Sequence, residues 1–299
     1  YGDEHIYSVP SSGIEETVSK ITLEDIKSFY EKYYSPNITE LVIVGDVDKK
    51  QILGELEFLK SWKSKNVKIP ELPMAKPSDK TKVYLVDKPD APQSQIRIGY
   101  ITDMPYDATG NYFKSYLMNY PLGEAFNSRI NLNIREDKGW SYGARGYFSS
   151  SDEPGSYTAY AGVKAAATDS AVVEFMKEIK GYREKGITDE ELQFMRNSIG
   201  QKDARSYETP AQKAGFLRNI VHYDLDKSYI DEQTKIINTI SKSEINGLAK
   251  KYLKYENFYI LVVGDAASNR AKLEKLGYEL VELNAKGEVV DDKSIDNKK

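Results

Sequence analysis

At 299 residues, 40% of them hydrophobic and 29% charged, the chain has an ordinary globular composition, with room for one domain of about 200 residues and part of another. Its net charge of −4, with lysines and glutamates interspersed, argues against a nucleic-acid or anionic-membrane partner, and no apolar run approaches the ~18 residues of a spanning helix. The absence of cysteine excludes thiolate zinc sites, cysteine nucleophiles and disulfides, and is compatible with any redox compartment.

Residues 1–63 read as the closing part of a first structural unit. A loop containing Gly13 leads to Thr22 and Asp25, a hydroxyl followed three positions later by an acid, which opens a helix. Ile26, Phe29, Tyr30 and Tyr33 then fall at helical spacing. A buried strand is expected over Leu41 to Val44, stopped by Gly45-Asp46, with a helix following around Lys50 to Trp62. Residues 64–80, with Pro70, Pro73 and Pro77 among lysines, read as a semi-extended linker.

A complete second unit is expected over residues 81–284. Val83 to Val86 is a strand candidate, and Ile96, Ile98 and Tyr100 alternate in the next. Helical stretches run from about Asn111 to Arg135. Strands over Tyr142 to Ser149 and Ser156 to Val163 are joined across Asp152-Glu153-Pro154-Gly155. A helix from Asp169 places Val172, Phe175, Met176 and Ile179 on one side and ends at Lys185-Gly186. Thr188 with Glu191, and Thr209-Pro210 with Gln212, open two more helices. Residues 285–299 are polar and expected to be mobile. Strands grouped ahead of helices predict an α+β fold with layered packing, not an alternating parallel one.

The two units are related. Ile21 to Asp46 aligns without gaps on Ile240 to Asp265, 219 positions later, with identities at Ile21/Ile240, Lys32/Lys251, Tyr33/Tyr252, Val44/Val263, Gly45/Gly264 and Asp46/Asp265. Ile245, Leu248, Ala249 and Tyr252 repeat the helical spacing, and Ser241 with Glu244 repeats the helix opening as a capping box. If the first unit matches the second in length, about 138 of its residues are expected ahead of Tyr1, and an opening on Tyr instead of Met agrees with a fragment or processed product.

The second unit contains Leu122-Gly123-x-x-Phe126-x-Ser128-Arg129 and then Asn133-Ile134-Arg135-Glu136-Asp137-Lys138-Gly139-Trp140-Ser141-Tyr142. This closely resembles the second homologous domain of the insulinase/pitrilysin-like zinc metallopeptidases, the inverted-motif zincins. Tyr1-Gly2-Asp3-Glu4-His5-Ile6-Tyr7 and Tyr33-Tyr34-Ser35-Pro36-Asn37 resemble the later part of that family's first domain. The resemblance covers nearly everything from Tyr1 to about Leu283. It implies tandem homologous layered domains with an antiparallel-rich sheet and packed helices, the first copy truncated.

In that family the first domain carries zinc on an H-x-x-E-H helix, with the glutamate as general base. This chain has only His5 and His222, neither in such a motif, so no zinc ligand is assigned to it; zinc is expected in the full-length protein only. The resemblance implies that Arg135 and Tyr142 reach across the cavity between the domains and hold the substrate backbone near the scissile bond. Tyr142 would donate to the tetrahedral oxyanion, and Arg135 to a nearby substrate carbonyl.

Plainer roles stand beside these. Arg135 could satisfy the last carbonyls of its helix, and Tyr142 could be one more strand aromatic. His5 and His222 read as structural or surface residues, Arg129 as a helix-surface ion pair, and Asp152-Glu153 and Asp291-Asp292 as solvated loops, not calcium sites.

Two functions follow from the resemblance. One is the non-catalytic portion of a zinc endopeptidase acting on peptides or unfolded polypeptides, partnered with an N-terminal catalytic segment. The other is an inactive scaffold or partner subunit of the same fold. A surface left uncovered on the first unit is also a route to self-association.

Overall fold

Six strands and the helices on one face of them account for most of the buried surface of the chain. The computed structural model describes residues 1–2, 5–153, 155–203 and 207–290. These form two units, Tyr1–Lys76 with Gln201–Tyr229, and Pro77–Gly200 with Ile230–Lys299.

The first unit begins with α1 (Glu15–Val18), α2 (Leu23–Tyr33) and α3 (Lys49–Glu55). α2 opens on a reciprocal cap: Asp25 N donates to Thr22 Oγ1 at 3.2 Å, and Thr22 N donates to the Asp25 carboxylate at 2.8 Å. The helix expected from Lys50 to Trp62 stops at Glu55 and tightens into a 3₁₀ stretch over Glu57–Ser61. The strand expected over Leu41 to Val44 is absent; those residues lie in no ladder, and Leu41 and Ile43 are 58% and 42% exposed.

The second unit starts with β1 (Lys82–Asp87) and β2 (Gln93–Ile101), followed by α4 (Asn111–Asn119), α5 (Arg129–Asn131), β3 (Ala144–Ser149) and β4 (Ser156–Lys164). Next come α6 (Thr168–Lys185) and α7 (Asp189–Asp203). The chain then passes through α8 (Pro210–His222), which belongs to the first unit, into α9 (Tyr229–Thr239). It closes with α10 (Lys242–Tyr252), β5 (Tyr259–Gly264), α11 (Ala266–Glu274) and β6 (Glu279–Leu283). The expected cap at α7 forms, with Thr188 N donating to Glu191 Oε2 at 2.8 Å, and so does the Thr209/Gln212 cap of α8.

Sheet order is β3-β4-β2-β5-β1-β6. β5 runs parallel to β1, and β1 to β6, while the β5–β2, β2–β4 and β4–β3 pairs are antiparallel. One face carries Val83, Leu85, Ile96, Ile98, Tyr157, Ala159, Ile260 and Val262, all essentially fully buried. α6 contributes Val172, Phe175, Met176 and Ile179 to the same core, and α10 contributes Ile245, Ala249 and Tyr252. Period-two alternation in the strands and i, i+3, i+4 spacing in the helices are therefore read by one apolar layer.

The duplication extends to the elements themselves. α2 and α10 correspond residue for residue across the 219 positions, as do the 3₁₀ turns Pro36–Ile38 and Tyr255–Asn257. Burial differs: Ile26, Phe29 and Tyr30 are more than half exposed, whereas Ile245, Ala249 and Tyr252 are buried.

The helical stretch expected from Asn111 to Arg135 is broken. Pro121 lacks the N–H that an α-turn requires there, and the chain widens into a π turn over Tyr120–Glu124, closed by Ala125 N donating to Tyr120 O at 3.0 Å. Residues 285–290, expected to be mobile, fold back on β6: Leu283 bridges Val289, and Val290 N donates to Glu282 O at 2.9 Å. Asp291-Asp292 and the rest of the expected mobile stretch, like Pro154 of the β3–β4 turn, lie outside the described residues.

Gly123, in the first π turn, packs directly on Gly146 of β3. A Cβ at position 123 would stand 2.7 Å from Gly146 N and 2.8 Å from its Cα, backbone atoms that cannot swing aside. Gly123→Ala should therefore lower stability by about 1–3 kcal/mol, the usual cost of overpacking, read from urea unfolding midpoints. A midpoint equal to wild type would contradict this close approach.

Candidate functional site

Arg135 and Tyr142 flank the corner between the second π turn and β3. That turn, Leu132–Asp137, follows α5 directly and is closed by Lys138 N donating to Asn133 O at 3.0 Å. Gly139, at φ +60°, reverses the chain, and Trp140 N donates back to Ile134 O at 3.1 Å. Trp140 O then accepts from Lys164 N at 3.0 Å, fastening the corner to the end of β4.

Asn131 holds the other side of the corner. Its Oδ1 accepts from Ala144 N, the first residue of β3, at 2.9 Å, and its Nδ2 donates to Phe126 O at 2.7 Å. One buried amide thus joins the loop before α5 to the head of the strand.

Arg135 is a third exposed, with its guanidinium carbon 4.6 Å from the centroid of the Phe126 ring and Nη1 3.3 Å from Glu136 Oε1. The ring fixes the plane of the guanidinium and leaves its N–H edges for other acceptors, an arrangement worth about 0.5–1 kcal/mol at an exposed site. Tyr142 is 93% exposed, and among the described residues its ring and hydroxyl have no partner. The strand expected to begin at Tyr142 begins at Ala144. Ser141 is the reason: its Oγ accepts from Gly143 N at 3.1 Å and donates to Gly143 O at 2.8 Å, a local loop that keeps Tyr142 out of the ladder.

Arg129, read from sequence as an ion pair, is one. Nε and Nη2 donate to the two carboxylate oxygens of Glu191 at 2.5 and 2.7 Å, and Nη2 also donates to Gly186 O at 3.1 Å. The guanidinium carbon lies 4.8 Å from the Tyr182 ring centroid. Burial opposes both charges, but hydrogen bonding and mutual attraction outweigh it; the Glu191 carboxyl is held below its ordinary range and the Arg129 guanidinium above its own.

The two histidines are apart from this corner in role. His5 is buried, and its Nδ1 accepts from Tyr7 N at 3.0 Å. His222 Nδ1 lies 3.3 Å from Glu40 Oε2. Among the described residues no three His, Cys, Asp or Glu side chains are grouped so as to hold a metal ion, so the residues in view do not fit a zinc site. Sequence reasoning missed Asn131 and the pairing of Phe126 with Arg135. Both depend on the chain bending back over Ala125–Ser128, which leaves no periodic trace.

Residues 20–199 match the family description "Peptidase M16 inactive domain". The chain belongs to this family. Relatives of the M16 inactive domain include an "Uncharacterized zinc protease YmxG" of Bacillus subtilis, 23% identical over 253 residues, covering 84% of this chain and 60% of the relative. The "Non-peptidase homolog YmxG" of Helicobacter pylori is 25% identical over 267 residues, covering 86% and 59%. The crystal structure of a peptidase M16 inactive domain from Pseudomonas fluorescens matches with a TM-score of 0.75 at 18% identity, over 86% of this chain and 60% of that one. The chain thus spans about three fifths of the length of these M16 proteins. Among its described residues no helix is long and apolar enough to cross a membrane.

Two outcomes follow from the corner's geometry. Asn131→Ala should cost about 1–3 kcal/mol, because Ala144 N is left buried without an acceptor; a thermal melt unchanged from wild type would contradict that. Because folding lowers the Glu191 pKa, its contribution is present above the unfolded-state value and is lost as pH falls through the folded one. Glu191→Gln should therefore be less stable than wild type by about 1.5–3 kcal/mol at neutral pH, with the gap closing in acid. A gap independent of pH would refute the assignment.

Proposed function

We propose that this chain is the non-catalytic portion of a zinc-dependent endopeptidase and that Arg135 and Tyr142 are its contribution to the chemistry. In this reading residues 1–63 close a first peptidase-like domain, 64–80 link, and 81–284 form a second, inactive one. The recurrence of α2 and its following turn in α10 and its turn supports that division.

The observation that carries the catalytic reading is Tyr142. A tyrosine 93% exposed, with neither ring nor hydroxyl engaged by the described residues, contributes little to folding and keeps its O–H available as a donor to another molecule. Peptide hydrolysis passes through a tetrahedral intermediate whose former carbonyl oxygen carries negative charge. Tyr142 O–H donates to that oxygen, and Arg135, its plane set by Phe126, donates N–H groups to a neighbouring substrate carbonyl. Zinc, when bound by the longer protein, supplies an activated water; the residues that hold it are not among those described for this chain.

A scaffold reading has its own support in the relative named a non-peptidase homolog. The two separate in an assay of the full-length protein, supplied with zinc, on an internally quenched peptide. Tyr142→Phe and Arg135→Ala should each lower kcat by about 10²–10³ with melting temperatures near wild type. Undiminished cleavage in both variants would remove the catalytic role. A wild-type protein that cleaves nothing would select the scaffold. This chain on its own should neither cleave peptides nor retain stoichiometric zinc after gel filtration, and chelator-sensitive proteolysis by the purified chain would overturn the division of labour.

A further inference from the structure

The face of the sheet turned away from the core has a pattern of its own. In the cross-strand register Arg145 of β3 stands opposite Tyr160 of β4, and Tyr160 opposite Arg97 of β2. Arg97 is opposite Leu261 of β5, and Leu261 opposite Tyr84 of β1. One row across five strands therefore reads Arg, Tyr, Arg, Leu, Tyr. The Arg97 guanidinium carbon lies 5.6 Å from the Tyr160 ring centroid, and Tyr147 meets Tyr160 edge-on at 6.0 Å. Beside Arg97 lies an open hollow of about 230 Å³ bordered by Gly99, Ile101, Thr158, Tyr259 and Leu261; the strands close tightly at its floor, where a Cβ on Gly99 would strike Tyr157 O.

The charge on this face runs against that of the chain. Among its strand residues the one carboxylate is Glu279, at the far edge, bound to Lys80 and Lys82 at 2.8 and 3.1 Å. Arg97 and Arg145 are exposed, and no carboxylate among the described residues lies within ion-pair distance of either. A protein of net charge −4 thus presents two uncompensated guanidiniums beside an aromatic and aliphatic strip.

We infer that this face binds an extended acidic peptide segment, its carboxylates on Arg145 and Arg97 and an apolar side chain of the same segment in the hollow at Gly99. Strands lie ~4.8 Å apart, so two arginines separated by one strand stand ~10 Å apart, and an extended peptide repeats same-side residues every ~6.8 Å. Acids at alternate positions reach both guanidiniums through their flexible stems. Stacking on Tyr160 holds Arg97 flat and leaves its N–H fork for a carboxylate. The apolar half of the row, Leu261 and Tyr84, gives the apolar side chains of a peptide a surface to cover. The inference deepens the peptidase reading by naming the substrate class, and as a statement about substrate it rests on that reading.

The test is fluorescence anisotropy on this chain, without zinc, using a labelled peptide of about ten residues whose alternate, same-side positions read Glu, Glu, Leu with Thr between them, and its Lys-for-Glu counterpart. The acidic peptide should bind about tenfold tighter than the basic one, with affinity falling as salt rises. Arg97→Gln/Arg145→Gln should lose about tenfold in affinity for the acidic peptide, while Arg97→Lys/Arg145→Lys, which keeps the charge, should lose less; thermal melts confirm the fold of each. Equal affinity for both peptides, no loss in the glutamine variant, or equally tight binding of an oligonucleotide of matched charge would overturn the inference. Because this readout involves no cleavage, acidic-peptide binding by a protein whose full-length form proves inactive removes only the peptidase reading. Cleavage by the full-length protein without any charge preference removes only this inference.

Discussion

A strand in the interior of a sheet persists only when both of its edges find partners, and β5 is such a strand. β1 lies along one edge and β2 along the other, so its N–H and C=O groups are spoken for while Ile260 and Val262 face the core. The matching stretch Leu41 to Val44 has the same apolar run and the same Gly-Asp stop, yet no strand lies beside it among the described residues and it forms none. A helix satisfies its own backbone and so needs no neighbour to exist. That difference is why α2 and α10 are equal in length while only one of the two following stretches is a strand.

The same distinction decides what was legible in the sequence. Features written in local chemistry were: the caps at Thr22, Thr188, Thr209 and Ser241, and the alternation of Ile96, Ile98 and Tyr100. Features that depend on a distant partner were not. The head of β3 was placed two residues early because the pattern extends through Tyr142, while the Ser141 hydroxyl competes locally for the Gly143 backbone. β6 and α11 went unread beyond Asp265, since β6 exists as a strand through its pairing with β1. For the site, the arginine and tyrosine could be named from a family motif, but Asn131 and Phe126, which aim them, could not.

Electrostatically the second unit separates two kinds of arginine. Arg129 is committed, with both carboxylate oxygens of Glu191, a carbonyl and an aromatic face around it. Arg135, Arg97 and Arg145 are held at most by a ring and, for Arg135, one exposed carboxylate oxygen of Glu136, and each keeps further N–H groups uncommitted. Committed charges contribute rigidity, and uncommitted ones contribute recognition, because a ligand can gain from them only what the protein has not already used.

The π turn over Leu132–Asp137 sets the phase of the side chains around this corner. Each residue of an α-helix advances the side chain about 100° around the axis, so accommodating one additional residue in a turn re-phases everything after it. Ile134 stays in the core while the next side chain, Arg135, swings out over Phe126. Consecutive residues of one turn thus divide the work, Ile134 anchoring the corner from within and Arg135 offering a cation outside.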